Sequence, residues 1–345
     1  MAGDPGGVRT PSRDSLGPCW SRDSPSVHDP VREESAAPTA GDARRGLLFA
    51  LTSAVSFGLA GTMAAGLYTA GWSAGAAVSA RITIAAVVLI GPGMRAIDGR
   101  ITVLIRNGRT ILAYGVLAVT GSQLCYFYAV ARLPVGVALL IEYTAPVAVV
   151  GWMWATHGQR PTRATVVGAA VAAVGLVLLL DLVGVESKSG GLDPIGVLWA
   201  LGAMVGAAAY FVMLADTTTG LPPIALASSG LVVGAVVLGV AAVTGLLPIE
   251  ASGAEVVFDP FTLPWWMPVL LLGLVSAALA YVTGIAAGRR LGSRLASFVA
   301  LSEVVAATAF AWWLLGQEPL PIQFVGAAIL MAGVVVVRLG EPARS

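Results

Sequence analysis

Three ionisable side chains stand inside long apolar runs of this 345-residue chain: Arg81, Glu142 and Glu303. A helix rises about 1.5 Å per residue, which puts each roughly 12 to 13 Å from one end of its run. Half a bilayer core is about 15 Å, so all three lie near the midplane. A charge at that depth costs about 2.5 kcal/mol or more, and such groups face a cavity or a partner. Two carboxyls there can carry a proton or hold an ammonium or other cationic group. Arg81 can hold a substrate carboxylate, keep one glutamate ionised, or pair with Glu142 or Glu303 and simply lock helices together. Glu303 also shares a helical face with Ala296, Ala300 and Ala307, which suits a packing residue between close helices. Further polar groups surround the two carboxyls: Gln123, Tyr126, Tyr143 and Thr144 near the first, and Tyr281, Thr283, Ser297 and Ser302 near the second. The candidate substrate- or proton-binding set is therefore Glu142, Glu303, Arg81, Gln123, Tyr126, Tyr143, Tyr281 and Ser302.

Other chemistries find no residues to carry them. His28 lies in a polar tail and His157 in a loop, so no histidine pair can ligate zinc, and no metal or cofactor is expected. The chain lacks a Gly-x-x-x-x-Gly-Lys-Ser/Thr phosphate cradle, which excludes ATP as its energy source. Gly202/Gly206, Gly230/Gly234 and Gly284/Gly288 have the spacing of helix-packing pairs instead. Cys19 and Cys125 offer neither metal spacing nor a disulfide framework. A net charge of +1 gives no field to recruit nucleic acid. No enzyme is read from this sequence.

The elements that must position the three charges are membrane helices. The chain is 57% hydrophobic and 11% charged, whereas soluble proteins carry about 25% charged residues. Residues 1–45 hold thirteen of the thirty-nine Asp, Glu, Lys and Arg, mixed with Pro and Ser, and read as a disordered cytoplasmic tail. Ten apolar runs follow, at about 46–68, 74–93, 110–130, 133–155, 164–182, 194–214, 221–247, 264–287, 291–315 and 320–339. Runs of about 20 residues without alternation are helices, not barrel strands. The run 221–247 is long enough to require tilt or a partly interfacial end. With the N-terminus inside, thirteen Arg fall on the inner side, among them Arg95, Arg106, Arg160 and Arg289, while only Arg132 and Lys188 fall outside. That asymmetry predicts ten spans with both termini cytoplasmic. Trp152, Trp154, Trp312 and Trp313 suit an interfacial belt, and Asp181 and Asp216 lie at span ends.

The body is also doubled. A shift of 158 residues lays Leu133 on Leu291, Trp154 on Trp312, Val167–Ala170 on Val325–Ala328 and Gly175 on Gly333; a shift of 150 lays Gly46 on Gly196. The halves are then 46–182 and 194–339, each of five helices. Five is odd, so the second copy enters the membrane inverted. That is a recurring design of secondary transporters, with a site near the midplane between the repeats.

The segments Leu133–Gly151 and Leu291–Gln317, with Leu315–Pro319 and Gln323-x-x-Gly326 following, resemble the EamA repeat, which defines the ten-helix branch of the drug/metabolite transporter superfamily. The likeness spans nearly all of 46–339. The family's Glu-Pro pair is split here, Ala145-Pro146 keeping the Pro and Glu303-Val304 the Glu. The resemblance implies an all-α, multi-pass permease moving a small metabolite, amino acid-like or organic cation or drug-like, by alternating access. It implies efflux, and the buried glutamates suggest proton coupling. The partners expected are substrate, lipid bilayer and protons, with a homodimer also open to the chain. The competing expectation is a membrane scaffold or lipid-handling protein whose repeat serves packing alone.

Overall fold

A computed structural model describes residues 1, 3, 40–157, 162–179, 192–214 and 220–340. Residues Met1–Ala37 form a unit apart from Pro38–Ser345, and the tail lies almost wholly outside the described residues. The second unit is nearly all helical: α1 (Ala40–Thr69), α2 (Ala74–Ala96), α3 (Ile101–Arg106), α4 (Gly108–Ala113), α5 (Ser122–Val130), α6 (Val135–Glu142), α7 (Ala145–His157), α8 (Arg163–Leu179), α9 (Pro194–Leu214), α10 (Pro223–Val243), α11 (Trp266–Leu270), α12 (Ala280–Ala300), α13 (Ser302–Leu315) and α14 (Pro321–Gly340). Two π-helical stretches, π1 (Tyr114–Gly121) and π2 (Leu271–Leu279), join α4 to α5 and α11 to α12. Among the described residues five helices are long and apolar enough to cross a membrane: Arg44–Thr69, Ala74–Ala96, Gly108–Val130, Pro223–Val243 and Trp266–Leu291. Their outward faces carry exposed Val87, Val236, Val240 and Val282, as a chain dissolved in lipid must.

Four boundaries depart from the sequence expectation. Helix α1 starts at Ala40 and takes in the last six residues assigned to the tail. The long run at 221–247 is helical only over the 21 residues Pro223–Val243, because Thr244 bonds back to Val240 and Gly245 adopts a left-handed φ of 75°. Of the two leucines left beyond the helix, Leu247 is buried at the start of the next connection and Leu246 is exposed. The eighth and ninth runs are joined through helical backbone rather than an extended loop: the chain turns back near Arg290 and Leu291, so that Ala280 meets Ser53 and Glu303 meets Gly58 along the same helix α1. The chain is also not wholly α: Val256–Val257 and Thr262–Leu263 (β1 and β2) pair as a two-stranded antiparallel ladder. That connection is strapped down where Ser73 N–H donates to Glu250, Trp72 Nε1 to Ser252 and Asp259 N–H to Leu314.

Packing exchanges helices between the two halves. Helix α1 lies along α12, π2 and α13, and α2 along π2, whereas α9 lies along α5, π1, α6 and α7, and α10 along π1. The two resulting bundles meet where α2 packs on α10 and α6 on α13, and α8 packs closely on α14. These contacts are reciprocal. A Cβ on Gly175 would strike the backbone of Leu330, and one on Gly333 the backbone of Ala172; the two glycines stand 158 residues apart, and so do the two residues they meet. A Cβ on Gly46 would come within 2.8 Å of Leu291, and one on Gly196 within 2.8 Å of Leu133. The π stretches themselves recur at nearly the same 158-residue interval.

Candidate functional site

The fourth and ninth apolar runs are both interrupted, and the interruptions position the glutamates. Helix α6 ends at Glu142 and α7 begins at Ala145; α12 ends at Ala300 and α13 begins at Ser302. Each break is closed by a hydroxyl taking a local carbonyl, Thr144 Oγ1 to Ile141 at 2.7 Å and Ser302 Oγ to Val299 at 2.6 Å. These two bonds again stand 158 residues apart. A hydroxyl that satisfies the freed backbone is what lets a break persist away from water. Glu142 thus closes one half-helix and Glu303 opens another.

Seven of the eight candidate residues line one cavity of about 280 Å³: Arg81, Gln123, Tyr126, Glu142, Tyr143, Tyr281 and Glu303. Ser302 does not join them, because its hydroxyl is spent on the break. Thr144 and Thr283 likewise bond within their own helices. The cavity extends toward the end of the bundle where α1 begins, along Ala50, Ser53, Ala54 and Phe57. At the opposite end Met63, Leu67, Phe127 and Val135 are buried between the halves, beside a separate cavity of about 310 Å³ lined by Gly136, Thr308, Gln317 and Phe324. That seal is drawn tight where Tyr68 Oη donates to the Phe127 carbonyl at 3.0 Å and Val135 N–H to Gln317 Oε1 at 3.1 Å. Gly61 is required there, since a Cβ would collide with Val135 and the Tyr126 hydroxyl.

Of the roles open to Arg81, a direct ion pair with a glutamate is not formed among the described residues. Arg81 is 3% exposed and has no carboxylate within ion-pair distance among the described residues. Its Nη1 donates to Gln123 Oε1 and its Nη2 to the Ser276 carbonyl at 2.8 Å, with the Phe127 ring 5.6 Å from Cζ. Ser276 lies in π2, whose wider turns displace backbone partners and are often found at functional sites. The guanidinium Nε finds no acceptor among the described residues. Arg81 is therefore a buried cation held by neutral groups, and its charge is not cancelled in place. Glu142 accepts from Ser122 Oγ at 3.3 Å. Glu303 Oε2 accepts from Tyr143 Oη at 2.7 Å, a bond from one half of the chain to the other.

Four polar or aromatic lining residues were not foreseen: Ser53, Phe57, Ser122 and Tyr210. Ser122 precedes Tyr126 by four positions, and that helical spacing was a readable signal. Tyr210 enters from α9, and only the exchanged packing of the halves brings it there. Trp154, Trp312 and Trp313 are more than half exposed and stand away from the cavity, as interfacial residues would. Trp152, Ser297, Asp181 and Asp216 lie outside the residues whose side chains are described.

A doubled helical body with a polar cavity at its centre and apolar outer faces defines a multi-pass membrane transporter. The EamA-like transporter family matches residues 44–181 and again 194–339, and the chain belongs to that family. It is thus a transporter of the drug/metabolite transporter superfamily, with a small-molecule substrate and membrane lipid as its surroundings. The chain matches no curated protein. It is similar to a solved crystal structure of another protein, 21% identical, with a TM-score of 0.56 over 85% of this chain and 96% of that one. At that identity the likeness speaks for the fold alone.

Proposed function

We propose that the chain is a secondary active transporter of the plasma membrane with ten spans, two inverted repeats and both termini cytoplasmic. It moves an amino acid-like or organic-cation substrate by alternating access, outward and coupled to protons. The observation that carries this reading is the chemistry of the cavity. One uncancelled guanidinium and two carboxyls sit among Phe57, Tyr126, Tyr210 and Tyr281, so a molecule carrying both a carboxylate and an ammonium, or a flat cation, finds partners there. The cationic group belongs between Glu142 and Glu303, and a carboxylate at Arg81. The cavity's extension toward the start of α1 corresponds to a state open to the cytoplasm. The outward direction follows from the family resemblance. The ten-span count is supported by further apolar helices at Arg163–Leu178, Pro194–Tyr210, Ser302–Leu315 and Pro321–Val336 and around Val135–Val149. Reconstituted into liposomes, the protein should drive flux of at least one member of a panel of amino acids and organic cations. Glu142→Gln and Glu303→Gln should abolish that flux. Equal flux by both variants, with unchanged pH dependence, would overturn the reading, and no flux of any panel member would return the scaffold alternative.

A further inference from the structure

Tyr143 occupies the break in the fourth run, and its hydroxyl lies 2.7 Å from Glu303 Oε2 and 3.0 Å from the Ala300 carbonyl, both at the break in the ninth. Its own repeat counterpart, 158 residues on, is Leu301, so only one half reaches across. A phenol has a single proton to donate. When Glu303 is ionised, carboxylate and carbonyl are both acceptors and must share that proton. When Glu303 carries a proton, its O–H donates to Tyr143 Oη and the phenol donates to Ala300 O, so both short contacts are satisfied. We propose that Tyr143 and a protonated Glu303 form a latch between the two halves that holds the present closed end shut and loosens when the proton leaves. This rests on the transporter reading and names the step at which a proton would act.

The latch sits where closure is decided. The half-helices on the sealed side of the breaks, α6 and α13, pack against each other, with Thr308 over Gly136. The groups facing Glu303 are Glu142 from α6, Arg81 from α2, Tyr126 from α5 and Tyr281 from α12. Helix α1 presents the backbone of Gly58 and no titratable side chain at that depth. Arg81 is already engaged by Gln123 and Ser276, which leaves the phenol as the group that meets Glu303 directly. Because protonation adds a bond to the closed form, closure is favoured at low pH and lost as pH rises.

The test needs no substrate, only protons. Spin labels at Ala131→Cys and Leu320→Cys, both exposed positions near the sealed end, report the separation of the halves in the full chain with Cys19 and Cys125 replaced by Ser. Raising the pH should increase the long-distance population about fivefold, the effect of one net hydrogen bond. Glu303→Gln, whose amide donates at every pH, should stay closed throughout. Tyr143→Phe should be open to the same extent at every pH. If Tyr143→Phe fails to fold, Glu303→Gln alone decides. A pH response that persists in either variant, or no response in the parent, overturns the latch. Substrate flux with a pH-independent distance would sink the latch and leave the transporter reading; a working latch without flux would do the reverse.

Discussion

The second and seventh runs are one helix used twice, yet only one carries a charge. Ala86–Leu89 recurs as Ala235–Leu238, an interval of 149 residues that sets Gly230 opposite Arg81. The contacts recur with it: Ile84 lies against Gly273 of π2, and Val233, 149 residues on, against Gly115 of π1. In the first case Arg81 crosses to the Ser276 carbonyl of π2. In the second, the space beside Gly230 is filled by the ring of Tyr114 from π1. Duplication therefore supplied the backbone and its close approaches, and divergence at single positions supplied the chemistry. The breaks obey the same division: Thr144 and Ser302 do identical work, while Tyr143 and Leu301 do not.

The comparison breaks most visibly at Arg81. Arg81→Ala strands Gln123 and the Ser276 carbonyl and leaves a void, at a cost of about 2 to 5 kcal/mol. A lowered melting temperature in detergent and loss of flux would be seen together; normal stability with normal flux would leave Arg81 without a role. Next, Gly175→Ala and Gly333→Ala each push a methyl into facing backbone and should cost about 1 to 3 kcal/mol. Reciprocity demands that the two melting temperatures fall equally, and a clear inequality would show that the seam is not symmetric. Smallest, Thr144→Ala and Ser302→Ala each remove one hydroxyl bond worth about 1 kcal/mol. Both should lower stability slightly and by the same amount, with flux retained.

The positions of the three buried charges were legible because depth along a span is a one-dimensional quantity that residue counting supplies. Azimuth is not, which is why Ser302, at the right depth, turned out to cap a break, and why Arg81 turned toward Gln123 and Ser276. The breaks themselves left little trace: Pro146 hinted at one, and nothing near Leu301 at the other. Tyr210 was invisible because no local pattern records which half's helices pack together. At Arg289–Arg290 the charged pair correctly marked the turn between two runs, but not that the turn is made in helical backbone.

The cavity as the place where substrate binds is tested most directly by thiol labelling. In a chain whose native cysteines are replaced by Ser, Ala207→Cys stands on the cavity wall and Met63→Cys in the sealed end. A membrane-impermeant reagent applied from the cytoplasmic face should label Ala207→Cys and spare Met63→Cys, and a transported compound should slow the labelling of Ala207→Cys at the concentrations that saturate its flux. Equal labelling of both positions, or no protection by a saturating transported compound, would contradict a substrate site built around Arg81, Glu142 and Glu303.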